Sequence, residues 1–258
     1  MTTPSITSRP GSPPPNIAQA IRDAAARTGI GFEYLVDQAR IESGFRADAK
    51  ATTSSATGLY QFTNGTWLST VKAHGAKHGF GWAADAISTS GKVADPAQRH
   101  AILALRNDPQ LASLMAAEHA GDNRDALIEG TGRAPEDVDL YLAHFLGSAG
   151  AVKFLNNWQA DPSAPAAPLF PEAASANRTI FYDSESRARS LDAIRERFAA
   201  KLGAANAPSQ LATASNRRDI LLRPAHRLEM QAIAPMPKGL SLDFARDAYR
   251  RLAGGERT

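Results

Sequence analysis

The sequence predicts a mostly α-helical protein. Apolar residues recur along the chain at spacings of three and four, which is the period of an amphipathic helix. No segment of convincing length alternates apolar and polar residues as a half-buried strand would. Glycine and proline separate the periodic segments, as expected for helices joined by short connections.

The first two helices follow a proline-rich start. Residues 1–15 contain Pro10, Pro13, Pro14 and Pro15 and are predicted to be disordered. The first helix is expected to begin near Asn16, a good N-cap, and to end at Gly29 and Gly31. In the next segment Phe32, Leu35, Val36 and Ala39 form one stripe, which predicts a second helix that carries Glu42 near its C-terminal end.

The middle of the chain predicts a loop followed by a series of helices. Residues 46–66 are rich in Ala, Ser, Thr and Gly and are expected to be irregular. Residues 161–171 hold four prolines and are expected to be a connector. Helices are predicted at about 66–74, 96–105, 109–119, 138–146, 152–158 and 191–202. The last of these is expected to pack back on a single domain that spans residues 16–203.

The C-terminal region differs in charge from the rest. Residues 178–258 hold 15 Lys and Arg against 9 Asp and Glu, a balance of +6, whereas residues 1–177 balance to −3. Residues 204–258 are predicted to be a basic, largely flexible tail with one amphipathic helix near Leu240–Leu252. The tail is a candidate contact for a secretion, flagellar or envelope assembly, and a balance of +6 is too modest to predict nucleic-acid binding.

Composition excludes several classes of function. The chain has no cysteine, so disulfides, thiolate catalysis and cysteine-ligated metals are excluded. No apolar run approaches the roughly 20 residues of a membrane helix. The first 16 residues lack the basic start and the apolar run of a Sec signal, so an extracytoplasmic substrate would require another export route and localisation stays open.

The segment around Glu42 predicts a catalytic acid. Glu42, Ser43 and Gly44 end a helix whose apolar stripe lies behind them, which places a carboxyl at the lip of a groove. Partial desolvation lets such a carboxyl keep a proton near neutral pH and donate it to a glycosidic oxygen. Further on, Gly58 would let the backbone approach a ligand, and Gln61 offers a donor and an acceptor suited to an N-acetyl group.

Together these residues resemble the lytic transglycosylase family, the goose-lysozyme-like domain that degrades peptidoglycan. That family has a Glu-Ser pair followed about 15 residues later by Gly-Leu-Met-Gln, and here Glu42-Ser43 is followed by Gly58-Leu59-Tyr60-Gln61, with Tyr60 in place of Met. The family's later Tyr-Asn-Ala-Gly element has its nearest counterpart in residues 141–147, Tyr-Leu-Ala-His-Phe-Leu-Gly, and that variant is similar to the phage-endolysin branch. Residues 177–182 are also similar to that branch. The resemblance covers about residues 17–202.

The resemblance implies a mechanism with one carboxylate. Glu42 protonates the oxygen between MurNAc and GlcNAc and then deprotonates the 6-hydroxyl, which closes a 1,6-anhydro ring without water. Catalytic roles fall to Glu42 and to Tyr141, whose hydroxyl would contact the carboxyl. Substrate contacts fall to a second set of residues, namely Ser43, Gly58, Tyr60, Gln61 and His144. Ser43 could equally brace the loop, and His144 could contact either the carboxyl or the acetamido group. No cofactor is implied.

Two alternatives stay open at this stage, and a metal site is not one of them. A hydrolytic muramidase on the same fold would add water instead of closing the anhydro ring. A non-catalytic peptidoglycan-binding or envelope assembly protein would use the groove alone, without need of a carboxyl at position 42. His74 and His78 have the four-residue spacing of a metal pair but lack a neighbouring glutamate, so no metal site is predicted.

Overall fold

A computed structural model describes residues 12–52 and 54–203. Of these residues 69% are helical and none forms a β-strand, which confirms the predicted mostly α class. The predicted N-terminal segment lies largely outside the described residues. The predicted basic tail, with its amphipathic helix near Leu240–Leu252, lies wholly outside them.

Twelve α-helices make up the part of the chain that the structure describes. Short 3-10 helices at Ala76–His78 and Leu105–Asn107 extend two of the connections. The helices, in chain order, are α1 Pro15–Thr28, α2 Phe32–Ser43, α3 Asn64–His74, α4 Gly81–Ala86, α5 Pro96–Ala104, α6 Pro109–Thr131, α7 Asp137–Leu146, α8 Ser148–Ala160, α9 Ala166–Leu169, α10 Pro171–Ala176, α11 Arg178–Phe181 and α12 Leu191–Gly203.

The first two helices start and stop close to where the sequence places them. α1 begins at Pro15 rather than at Asn16, because proline is well suited to the first helical position, where no hydrogen-bonded N–H is needed. α1 ends at Gly29 and α2 at Gly44, both in the left-handed conformation. The predicted boundaries of the helix that carries Glu42 are therefore confirmed.

Helix α6 is longer than predicted. It continues through Gly121 and Gly130 and ends at Gly132, in the left-handed conformation, rather than near His119. Gly130 has a packing role, since a Cβ at this position would lie 2.5 Å from Cγ2 of Val152 on α8. The predicted end near His119 is therefore wrong, and Gly130 allows the close approach of α6 and α8.

The segment at residues 161–171 is not simply a connector. It contains the short helix α9, and Pro171 opens α10, because proline is tolerated in the first turn of a helix. Ala166 and Ala167 are buried there, and the backbone N–H of Ala166 donates to the carbonyl of Arg189 at 2.9 Å. The proline-rich segment is therefore fixed on the domain by packing and by main-chain hydrogen bonds.

The core forms around α6, which packs against α1, α3, α7 and α8. The fully buried side chains include Trp67 of α3, whose ring N–H donates to the carbonyl of Ile102 at 2.7 Å. Helix α12 packs on α7, α2 and α8, as the sequence predicted for residues 191–202. Within the described ranges, no helix is both long and apolar enough to cross a membrane.

Candidate active site

Glu42 lies in the last turn of α2, next to α7. The helix stops because Gly44 and Phe45 both take a positive φ, 60° and 66°, and their N–H groups bond back to the carbonyls of Arg40 and Ala39. This turn ends α2 at the point where the Glu42 side chain reaches the surface. The carboxyl is partly buried, with 19% of the side chain exposed.

His144 of α7 holds one oxygen of this carboxyl. Its Nε2 lies 3.1 Å from Oε1 of Glu42, and 14% of the histidine side chain is exposed. Two residues that are 102 positions apart in the sequence are thus brought into hydrogen-bonding contact. Among the described residues this is the one side-chain hydrogen bond to the Glu42 carboxyl, so Oε2 carries none.

Tyr141 lies one turn before His144, beneath the carboxyl. The side chain is fully buried, and its ring packs edge-on against Phe198 of α12 with the centroids 5.4 Å apart. No hydrogen bond of ordinary geometry joins the hydroxyl to another described residue, but the hydroxyl lies close enough to the Glu42 carboxyl for that contact to raise its pKa, so the predicted role of Tyr141 stays a prediction. Burial, reinforced by the nearby Glu42 carboxylate, raises the pKa of Tyr141 well above its usual value, which keeps the phenol neutral.

Ser43 and Gly58 join α2 to the loop that follows it. The Ser43 hydroxyl is buried and lies 2.8 Å from the carbonyl of Leu59 and 3.1 Å from that of Ala39, so it braces the loop, one of the two predicted alternatives. Gly58 has φ 87°, and a Cβ there would lie 2.1 Å from the backbone oxygen of Arg106. The expectation that Gly58 makes room for a ligand is corrected, since the protein's own backbone occupies that space.

The two remaining loop residues have different environments. Tyr60 is buried in the core and its hydroxyl donates to the carbonyl of Leu35 at 3.2 Å, so the expected ligand contact is corrected to a supporting position. Gln61 is partly buried at φ 49°, and its amide nitrogen donates to the carbonyls of Gly58 and Ala49, at 2.8 and 3.1 Å. The acceptor oxygen of Gln61 is the group left for a ligand.

Sequence reasoning missed Gln38, which completes a chain of side chains behind Glu42. It is buried one turn before Glu42 on α2, and its amide nitrogen lies 3.3 Å from Nδ1 of His144. The four-residue spacing between Gln38 and Glu42 on one helix could have revealed it, because such residues share a face.

Arg40 and Lys201, also missed, link α2 to the end of α12. The Arg40 guanidinium donates to the carbonyls of Lys201 and Leu202 at 2.9 and 3.3 Å and pairs with Asp37 at 3.1 Å. The Lys201 ammonium lies 6.0 Å from the centre of the Tyr141 ring. Burial lowers the pKa of Lys201, an effect that the Glu42 carboxylate opposes. No local sequence signal marks either contact, because both depend on the return of α12.

A fourth missed residue, Arg106, fixes the loop through hydrogen bonds to backbone carbonyls. Its Nη1 donates to the carbonyls of Ser55 and Phe62, at 2.8 and 2.9 Å, and its Nε donates to that of Leu103. Burial lowers the pKa of Arg106 to about 10, so the guanidinium stays charged at neutral pH. The loop that carries Gly58 and Gln61 is therefore held by a buried cation bonded to backbone oxygens.

The arrangement offers one proton-transfer group rather than a metal centre. In the part of the chain that the structure describes, no group of three or more His, Asp or Glu side chains is placed to hold a metal ion. Comparison with known protein families finds no family model that matches this chain. The site's chemistry therefore has to be argued from Glu42 and the side chains around it.

Proposed function

We propose that this chain is a peptidoglycan lytic transglycosylase with a goose-lysozyme-like fold, and that Glu42 is its acid and base. The observation that carries the proposal is the Glu42 carboxyl itself. It lies at the end of a helix, one oxygen accepts from His144, and the other oxygen has no partner among the described residues. A general acid needs such a free oxygen to reach the substrate.

The proposed reaction needs a single carboxyl. Glu42 begins protonated and donates its proton to the glycosidic oxygen as the bond from C1 of MurNAc to that oxygen breaks. The substrate's acetamido group stabilises the positive centre at C1. The Glu42 carboxylate then takes the proton of the 6-hydroxyl while O6 bonds to C1 and closes the anhydro ring. One proton has passed through Glu42, and no water is consumed.

The surrounding residues support this role for Glu42. The His144 N–H can bond Oε1 whether or not the carboxyl is protonated, which leaves Oε2 for the substrate. Tyr141 supplies a neutral, buried surface beneath the carboxyl, and the Gln61 oxygen could accept from the acetamido N–H of the substrate. Ser43 fixes the loop that carries Gln61 to the end of α2.

Digestion of purified peptidoglycan, analysed by mass spectrometry, tests the proposal. The wild-type protein is expected to release muropeptides that end in 1,6-anhydro-MurNAc. Glu42→Gln keeps the size of the side chain but has no carboxyl proton to transfer, so it should release none. Glu129→Gln, at an exposed position on α6, is the matched control and should retain full activity.

Each other result selects an alternative. Products heavier by one water, also lost in Glu42→Gln, would assign a hydrolytic muramidase to the same site. Retention of glycan without release of products would indicate a non-catalytic binding or envelope assembly protein and would rule out the enzyme. Equal release by Glu42→Gln and the wild type would show that Glu42 is not the catalytic group.

A further inference from the structure

A buried glutamine lies behind the Glu42–His144 pair. The Gln38 amide nitrogen contacts Nδ1 of His144 at 3.3 Å, and Nε2 of the same ring contacts Glu42 at 3.1 Å. The Gln38 side chain is buried, and its Oε1 has no partner among the described residues. The three side chains thus form one line from the protein interior to the partly exposed carboxyl.

The orientation of the Gln38 amide, with its nitrogen toward Nδ1, assigns the donor and acceptor roles at the His144 ring. An amide N–H can only donate, so Nδ1 of His144 accepts and carries no proton. The neutral ring then has its proton on Nε2, where it is donated to Oε1 of Glu42. The reversed amide would require a proton on Nδ1 and would bury an NH2 group without an acceptor. Unpaired buried N–H groups are rarer than under-satisfied carbonyls, which favours the orientation observed.

The charged and titratable groups around the pair leave this arrangement undisturbed at neutral pH. Burial keeps the phenols of Tyr34 and Tyr141 neutral by raising their pKa values. Burial lowers the pKa of His119 to about 4, so that ring is neutral too. The cations that remain are Lys201 of α12 and Arg40 of α2, whose guanidinium is bound to Asp37 and the end of α12.

We propose that Gln38 is a positioning residue that holds His144 as the neutral tautomer protonated at Nε2. A neutral histidine orients the Glu42 carboxyl without forming an ion pair with it. An imidazolium in the same place would stabilise the carboxylate and would oppose the protonated form that a general acid requires. The consequence for catalysis rests on the proposed function, whereas the tautomer follows from the two hydrogen-bond partners of His144 and can be measured without substrate.

Gln38→Met and Gln38→Glu nearly keep the size and shape of the glutamine side chain but remove its hydrogen-bond donor. Gln38→Met removes the donor to Nδ1 and leaves the contact with Glu42 as the one that favours a proton on Nε2. Gln38→Glu supplies an acceptor instead, so both ring nitrogens carry protons and His144 becomes an imidazolium between two carboxylates. Gln110→Met, at an exposed position on α6, is the matched control.

Nitrogen-15 NMR of the histidine rings is the first measurement, because it reports the tautomer without substrate. The His144 signals are assigned by their loss in His144→Asn. Wild type and Gln110→Met should show the Nε2–H tautomer at neutral pH, Gln38→Met a lower population of that tautomer, and Gln38→Glu a doubly protonated ring. An Nδ1–H or charged His144 in wild type, or an unchanged Nε2–H in either folded Gln38 variant, would overturn the proposal. If Gln38→Met fails to fold, Gln38→Glu carries the test.

The pH profile of glycan cleavage is the second measurement. Gln38→Met should lower kcat about five- to tenfold, the effect of one hydrogen bond, with KM unchanged because Gln38 does not reach the substrate. In Gln38→Glu the alkaline limb of kcat/KM should move to lower pH, since the imidazolium favours ionised Glu42. A merely structural role would leave the limb in place. If wild type cleaves no glycan, the proposed function fails, and the NMR result still decides the role of Gln38.

Discussion

Two glutamates in this domain accept a hydrogen bond from the Nε2 of a histidine. Glu42 is paired with His144 at 3.1 Å, and Glu118, in the middle of α6, is paired with His78 at 2.6 Å. Glu42 has no further side-chain hydrogen bond among the described residues. Glu118 also contacts Lys77 at 2.8 Å and His74 at 3.3 Å. The same pair of residue types therefore exists once with a free oxygen and once with both oxygens occupied.

The protonation of Glu118 follows from its partners. Burial by itself would raise the pKa of Glu118, but hydrogen bonds from Lys77 and His78 and the charges of His74 and Lys77 outweigh it, and the pKa is lowered. Only 9% of the side chain is exposed. Glu118 is thus fixed as a carboxylate that ties the end of α3 and the following 3-10 helix to α6.

The two Glu–His pairs also differ in the residue that contacts Nδ1 of the histidine. Arg27 of α1 lies 2.7 Å from Nδ1 of His78, and a guanidinium can only donate. Nδ1 of His78 therefore faces a permanent cation, whereas Nδ1 of His144 faces the uncharged amide of Gln38. The residues around each Glu–His pair, rather than the pair itself, therefore decide whether its carboxyl can exchange a proton.

The largest expected effect separates the two glutamates by activity. Glu42→Gln should lower glycan cleavage by about 10³-fold or more, in line with the loss of general acid catalysis. Its free energy of unfolding should change by no more than about 0.5 kcal/mol, because one partly exposed hydrogen bond is altered. Mass spectrometry of the products and urea denaturation measure the two quantities. A large loss of stability would assign Glu42 a structural role like that of Glu118.

The second expected effect, at Glu118, is a loss of stability with little change in activity. Glu118→Gln removes the charge that Lys77, His74 and His78 share, and should lower the free energy of unfolding by about 2–3 kcal/mol in urea denaturation. Activity per folded molecule should stay within about twofold, since this cluster does not contact the Glu42–His144 pair. Loss of activity in a folded Glu118→Gln protein would contradict the separation of the two regions.

A third effect concerns orientation rather than proton transfer. His144→Ala leaves Glu42 able to carry a proton but removes the N–H that orients it, so cleavage should fall about 10²-fold. His100→Ala, at an exposed position on α5, is the control and should cleave normally. Activity of His144→Ala at the wild-type level, measured by release of muropeptides, would show that the carboxyl needs no orienting group.

The smallest expected effect is the pH dependence of the stability that Glu118 contributes. Because the pKa of folded Glu118 lies below its ordinary value of 4.5, its contribution to stability is present above pH 4.5. That contribution is lost as the pH falls through the folded pKa. The difference in unfolding free energy between wild type and Glu118→Gln should therefore shrink as the pH falls below 4.5. A difference that stays constant on acidification would show that Glu118 is not held as a carboxylate.

The sequence predicts the parts of the fold that depend on local periodicity. The helix that carries Glu42 is confirmed at both ends, because an apolar stripe between two glycines leaves little freedom in its boundaries. The length of α6 was underestimated, since the helix continues past Gly121 and its later part packs on α8 through Gly130, a contact that no local pattern shows. Short helices between residues 166 and 181 were missed, because their stability comes from packing and main-chain hydrogen bonds.

Predictions for the site residues likewise depend on whether local spacing or a long-range contact sets the environment of the side chain. The contact of His144 with the Glu42 carboxyl was one of two options that helical spacing left open, and the structure places it on the carboxyl. The environments of Tyr60 and Gly58 were misjudged, because burial against Leu35 and Arg106 is a long-range property. Catalysis by Glu42 remains a prediction that the digestion experiment tests.

The bond from Arg40 to the end of α12 has a consequence for biosynthesis. The guanidinium of Arg40 and the carbonyl of Lys201 are separated by 161 positions in the chain. At a translation rate of about 5–20 residues per second, roughly 8–32 s pass between the synthesis of the two residues. During that interval the nascent chain contains α2 but not yet the α12 carbonyls to which Arg40 donates. The helix that carries Glu42 is therefore among the first to be made and among the last to be completed.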